Sequence, residues 1–301
     1  MLTRCTVALL LLTGGLLAPA RAQVTMQWKF EKGEVFYVED VQNSKMDISI
    51  LGNSQKQDMV QTTVAKFTIL DKSDSGIVME RKIESFKIAG DAPNPVADDM
   101  AKQMQGLTFK ITFKPNMEVA KIDGLDEFLS KLGNANPLIG QAIKQMFSED
   151  TLKAGLADAF GNLPSSPVAV GDKWSRKSNI PLGPMGMITT DSTYTYEGAQ
   201  DGLHKVGFKG VLSYKPPKPG EGGIAGAQIT KADLKADEAK GTLFYDAAKG
   251  KIVRSETKMK MKMSMTATAG GMNLQMEMDQ DVTMTSRILD KPPSAGANSN
   301  N

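Results

Sequence analysis

The chain is short of the residues from which active sites are most often built. Its 301 residues include one cysteine, Cys5, and one histidine, His204. Cys5 falls in a leader that the chain is expected to lose, so the exported protein would hold no thiol. That excludes disulfides, thiol catalysis and cysteine-ligated zinc together. One histidine rules out a histidine-clustered metal site; a triad would still need a nucleophile and an orienting acid near it, and "DGLHKVGF" carries no such motif. His204 reads as a turn residue entering a strand, exposed or structural. An excess of either charge is missing too. There are 36 Lys+Arg against 34 Asp+Glu, and loss of Arg4 and Arg21 with the leader leaves 34 against 34. That balance gives no pull toward nucleic acid or an anionic membrane surface. No cofactor motif is present, and no spacing singles out a catalytic pair among the acids. The reading is of a protein that is not an enzyme.

What is present begins with "MLTRCTVALLLLTGGLLAPARA". Arg4 makes a positive start, Val7 to Leu17 an apolar stretch, and Ala20-Arg21-Ala22 a small-residue cleavage site. The stretch is shorter than the roughly 20 residues that span a bilayer. We expect residues 1–22 to be a signal peptide cut near Ala22, a periplasmic or extracellular location, and no transmembrane segment in the mature chain. Cys5 precedes the apolar stretch, so it is not the lipid-bearing cysteine of a bacterial lipoprotein. Without disulfides, the remaining residues must be held by a core, which a chain of about 280 residues can bury.

The remainder has three sections. "GEVFYVEDVQ", "KMDISI", "TTVAKFTIL" and "GIVMERKIESFKI" alternate apolar with polar residues, as half-buried strands do. Gly52-Asn53, taken as a two-residue hairpin loop, pairs Leu51 with Ser54 and Met46 with Met59. "LTFKITFKPNMEVAKID" continues the alternation, with Phe109, Ile111 and Phe113 on one face and a turn at Pro115-Asn116. The middle then shifts to helical spacing: Leu125, Phe128, Leu129 and Leu132; Leu138, Ile139, Ala142, Ile143, Met146 and Phe147 after an Asn136 cap; Leu152, Leu156, Ala159 and Phe160 after a Ser148 cap. A shorter helix is expected from Val96 to Gln105. From "LPSSPVAVGDKW" onward the pattern is strand again, interrupted by the Pro/Gly loop "KPPKPGEGGIAGAQ" and followed by a disordered tail, 291–301. Gly33-Glu34-Val35-Phe36 and Gly171-Asp172-Lys173-Trp174 hint at an internal repeat.

The string "KMKMKMSMTATAGGMNLQMEMDQDVTM" is the most informative. With Gly270-Gly271 as a two-residue loop, Ala269 faces Met272, Met265 faces Met276, Met263 faces Met278 and Met259 faces Val282. On the other face Lys262 meets Asp279 and Lys260 meets Asp281. A one-residue slip would set methionine opposite charge, so the register is well specified. The lysines therefore form a solvated, charge-paired face and not a basic patch. For the methionine face three readings stay open: a core in which methionine fills gaps, a pliable wall for acyl chains, or thioether coordination of Cu(I).

The segments "WKFEKGEVFYVEDVQ", "LTFKITFKPNMEVAKIDGLDEFLSKL", "LPSSPVAVGDKW" and "GTLFYDAAKGKIVRSETKMKM" resemble an uncharacterised family of exported bacterial proteins, a domain of unknown function. The resemblance covers most of the mature chain and implies no catalytic residues. More loosely, the organisation resembles the periplasmic lipoprotein carriers, which implies an open half-barrel with helices on its concave apolar face. The expected fold is thus α+β: a long curved antiparallel sheet over residues 23–290, with amphipathic helices inserted at about 96–160 and packed on its concave face. The expected occupant is a lipid or other apolar ligand against Met261, Met263, Met265, Met276 and Met278, with Leu138, Ile139, Ile143 and Met146 from the helices. The alternative is an envelope protein whose sheet edge, or whose loop from Lys215 to Gly226, engages a protein partner.

Overall fold

The computed structural model describes residues 22–91, 95–133, 148–218, 222–224 and 227–293. The leader, the helix expected after Asn136 and most of the tail lie outside the described residues. A short strand β1 (Gln23–Val24) precedes the first run of long ones: β2 (Val35–Ile50), β3 (Asn53–Ser73) and β4 (Gly76–Gly90). Next come α1 (Pro95–Met104), β5 (Thr108–Phe113), β6 (Val119–Asp123), α2 (Leu125–Gly133) and α3 (Glu149–Phe160). The second run is β7 (Val168–Ala169), β8 (Lys173–Pro181), β9 (Met187–Gln200), β10 (Leu203–Lys215), β11 (Gly223–Ile224), β12 (Ala227–Ala236) and β13 (Ala239–Asp246). It ends with β14 (Lys251–Ala269) and β15 (Met272–Leu289). β1 pairs with β7; the other strands form one 13-stranded antiparallel sheet in the order β6-β5-β4-β3-β2-β15-β14-β13-β10-β9-β8, with β12 on β14 and β11 on β12.

The expected α+β class is corrected by this architecture. The protein is mainly β, and no continuous helical insert over 96–160 forms. Three short helices, of 10, 9 and 12 residues, are found among the described residues. The period-2 stretch between them buries Phe109, Ile111, Phe113 and Ile122. Burying those residues on one side requires strands, so β5 and β6 join the sheet and separate the helices.

The β14–β15 register is the expected one, pair for pair: Ala269 with Met272, Met265 with Met276, Met263 with Met278, and Met259 with Val282. Lys260 Nζ donates to Asp281 Oδ2 at 2.8 Å and Lys262 Nζ to Asp279 Oδ2 at 2.9 Å on the opposite face. The first hairpin differs. Its turn is Leu51-Gly52, with φ of 51° and 83°, so Met46 faces Gln57 and Ser44 faces Met59. The sequence pointed to Gly52-Asn53 because leucine rarely takes the left-handed region. The ladder charges explain the outcome: the observed register sets Lys45 opposite Asp58 and Asp47 opposite Lys56. The expected one would have put Asp47 opposite Asp58, which is unfavourable.

The hinted repeat is present in the hydrogen bonds. Gly33 N donates to Ile69 O at 2.8 Å and Ile69 N to Glu34 O at 2.9 Å; Gly171 N donates to Tyr196 O at 2.8 Å and Tyr196 N to Asp172 O at 3.0 Å. Glu34 accepts from Glu31 N and Asp172 from Ala169 N, through their carboxylates. Each turn needs its glycine, at φ of 84° and 92°. The aromatic that follows stacks across the ladder in both: Phe36 on Phe67 at 5.2 Å, Trp174 on Tyr194 at 5.5 Å. The bulges match as well, beyond Ile69 and Tyr196 and again before Phe113 and Tyr245. Two units, β2–β6 and β8-β9-β10-β13-β14, therefore lie in the same order along the sheet with β15 between them.

Each unit has its own core. Phe67, Ile69, Met79, Ile111 and Phe113 are buried in the first; Tyr194, Tyr196, Val206, Leu243 and Tyr245 occupy the matching positions of the second. (Tyr194 and Tyr196 are polar at one end only.) Each such side chain contributes about 1.5–3 kcal/mol. His204 is half-buried and shares a 2.7 Å hydrogen bond between Nδ1 and the Tyr196 hydroxyl, a structural position. The units are joined by Lys251, 4% exposed at the start of β14. Its ammonium donates to Glu34 Oε1 at 2.7 Å and to the carbonyls of Lys29 and Lys249, above the rings of Phe30 and Phe36.

Candidate functional site

The helix α3 is fixed at both ends. Ser148 Oγ accepts from Thr151 N at 3.2 Å, the N-cap expected from the sequence. At the other end two tryptophans hold it, one ahead of β2 and one on β8: Trp28 Nε1 donates to Phe160 O at 2.6 Å and Trp174 Nε1 to Asn162 O at 3.1 Å. Arg176 also donates from Nη2 to Ala157 O, and lies so close over Gly161 that a Cβ there would overlap its guanidinium. A glycine at 161 is what lets Arg176 reach the last turn.

Held there, α3 stands over the inner face of the sheet, the face that carries both cores, and between them is a cavity of about 610 Å³. Its volume is in the range of small-molecule sites. Leu152, Leu156, Ala159 and Phe160 line it from α3, and Met100 and Met104 from α1. Val38, Phe67, Ile83, Phe86, Phe109, Ile252 and Ile288 line it from the sheet. The α3 stripe, read from sequence as core packing, is thus divided between the first core and the cavity wall.

Two charges belong to this largely apolar wall, Asp40 from β2 and Arg81 from β4, together with the uncharged polar residues Gln61, Thr63, Thr151, Asn162, Ser255 and Ser286. The Arg81 guanidinium lies over the rings of Phe67 and Phe109, 5.9 Å and 5.5 Å from their centroids. Burial lowers its affinity for its proton, and the Asp40 charge acts the other way; it remains a cation. Burial also pushes the Asp40 carboxyl above its ordinary value, against a hydrogen bond from Ser286 and the pull of Arg81. Asn162 Oδ1 is buried in the same wall without a hydrogen-bond partner among the described residues.

Met261, Met263, Met265, Met276 and Met278 are elsewhere. They lie together on the inner face, half-buried, but farther along β14 and β15 than the cavity. Ile48 and Ile50 flank them from β2, and Leu234 and Ala232 from β12. Buried Ser44, whose Oγ accepts from Gln280 Nε2 at 2.5 Å, separates this strip from the cavity end. Leu138, Ile139, Ile143 and Met146 fall outside the described residues. Asp40 and Arg81 were not foreseen. A signal existed: Phe36-Val38-Asp40 and Ile77-Met79-Arg81-Ile83 each place one charge in an apolar, alternating face.

The chain belongs to a family of unknown function, DUF6263, whose model matches residues 66–289. No curated protein matches it. Among solved structures, a lipovitellin determined for its lipid–protein interactions is 12% identical, with a TM-score of 0.43 over 89% of this chain and 27% of that one. The present chain thus spans about a quarter of lipovitellin's length. The outer membrane protein OprG from Pseudomonas aeruginosa is 9% identical, with a TM-score of 0.21 over 86% of this chain and 97% of that one. A putative outer membrane lipoprotein-sorting protein domain from Vibrio parahaemolyticus is 10% identical, with a TM-score of 0.16 over 87% of each chain.

Proposed function

We propose that this is an exported, non-enzymatic envelope protein that holds an apolar ligand, a lipid or acyl chain, between the sheet and helices α1 and α3. The observation that carries the reading is the cavity: about 610 Å³, walled by leucine, isoleucine, methionine and aromatic side chains, under a helix clamped at both ends. A tightly packed structural module would leave no such space. The leader supports export. The methionine strip continues the apolar face past the cavity, as a pliable surface for a longer chain.

The test is native mass spectrometry of the mature protein purified from the envelope, with its organic extract analysed in parallel. A stoichiometric lipid adduct is expected. Gly155→Trp is the blocking variant, because Gly155 lines the cavity and a Cβ there meets nothing within 4 Å, which leaves the ring to extend into the space. It should remain folded and lose the adduct. A clean apo mass for the folded wild type would overturn the reading.

A second reading, docking to another envelope component, is favoured by one feature. Ile50, Leu51 and Met272 are 50%, 59% and 69% exposed at two hairpin tips that adjoin, Leu51 N donating to Gln275 O at 3.1 Å. Concentration-dependent association, abolished by Leu51→Asp, would support it.

A further inference from the structure

Resting on the ligand reading above, we propose that the cavity selects amphiphiles with a single anionic head, a carboxylate in the first instance, and that Arg81 receives that head. A guanidinium held near aromatic faces by cation–π attraction makes no hydrogen bond to them, so its N–H donors stay available to a planar acceptor. Phe67 and Phe109 hold Arg81 in that way, in a wall where Val38, Ile83 and Phe86 stand beside Gln61 and Thr63. Asp40 is the counter-charge, yet among the described residues the two form no ion pair within 4 Å, and the Asp40 carboxylate is engaged by Ser286. The bidentate face of Arg81 is thus not taken up by Asp40, and a half-buried cation with no ionic partner among the described residues is placed to receive an anion.

The second repeat supplies the control. There the position matching Arg81 is Phe208, and the position matching Phe109 is Gly241. The Phe208 ring lies against Gly241, closing the space that Arg81 and Phe109 leave in the first unit. The strand framework is complete with a hydrocarbon at this position, so the cation is not needed to build it. A carboxylate or phosphate head would meet charge-assisted hydrogen bonds at Arg81, and its chain would follow the apolar wall toward α3.

The experiment uses the delipidated mature protein, titrated by calorimetry with dodecanoate, methyl dodecanoate and dodecyl phosphate. Dodecanoate should bind roughly tenfold to a hundredfold tighter than its methyl ester. Arg81→Met, checked for folding by circular dichroism, should bind acid and ester equally, at the wild-type affinity for the ester. Dodecyl phosphate tighter than dodecanoate would assign the head to a phospholipid source, and the reverse to free fatty acids; both keep the anionic-head assignment. Equal affinity of wild type for acid and ester overturns it while leaving the apolar cavity occupied. Failure of all three to bind overturns the ligand reading itself. The comparison of acid with ester is made on the wild type, so it decides even if Arg81→Met does not fold.

Discussion

The two repeats share turns, bulges and aromatic stacks, and differ in what they do with the inner face. In the second unit Phe208 packs onto Gly241 and the space is closed. In the first, Arg81 sits between Phe67 and Phe109 and opens onto a cavity. One backbone pattern thus closes the inner face at this position in one copy and walls a cavity at the matching position in the other. The difference resides in two side chains per unit, because the ladders and glycine turns fix the backbone before those positions are chosen. The helix α3 belongs to both, clamped by Trp28 and Trp174.

The strongest way to break the pairing of the units is at Lys251, the buried cation shared by the first unit's turn and the second unit's β14. Lys251→Met strands Glu34 and should cost about 3–5 kcal/mol in urea unfolding. Asp172→Asn, at the matching turn carboxylate of the second unit, has no such lysine and should cost about 1 kcal/mol. Equal losses would show that Lys251 joins nothing. Next is Gly241→Ala: its methyl would sit 2.3 Å from the Phe208 ring and 2.2 Å from Glu256 O. A loss of about 1–3 kcal/mol is expected in urea unfolding. Wild-type stability for this variant would contradict the closed packing.

A smaller effect tests the shared helix. Trp28→Phe and Trp174→Phe each keep a ring and lose one N–H donor, at about 1 kcal/mol each. Amide exchange in α3 should quicken in both variants. Faster exchange in only one would show that a single unit holds the helix. The smallest effect concerns Asp40. Its carboxyl is raised above the unfolded value by burial, so the folded state holds the proton more tightly. The stabilisation from that proton is complete below the ordinary carboxylate range and is lost as pH rises through the raised value. The stability of wild type relative to Asp40→Asn should therefore fall on going from about pH 4 toward neutrality, as read by thermal unfolding. A difference that is flat with pH would show that Asp40 is not raised.

Much of the sheet was legible in the chain. Gly270-Gly271 with strict alternation on either side placed every pair of β14 and β15, because a two-residue turn and a period of 2 leave one register that matches both faces. The glycine-acid-x-aromatic starts announced the repeat for a similar reason: the conformation is local and only glycine enters it without strain. Leu51-Gly52 escaped because the charges that select its register, Lys45, Asp47, Lys56 and Asp58, lie along the ladder and not in the turn. The cavity escaped for a wider reason. Arg81 and Asp40 stand on separate strands, α3 is held over them by tryptophans 132 and 12 positions away in sequence, and the residues that close the second unit are non-adjacent too. By itself, the sequence determined which stretches are strand and where the β14–β15 hairpin turns, consequences of spacing along one segment. Only the tertiary structure decided where Phe208 closes the inner face and where it is left open beneath α3, because that depends on which side chains from distant strands and one helix meet in the same space.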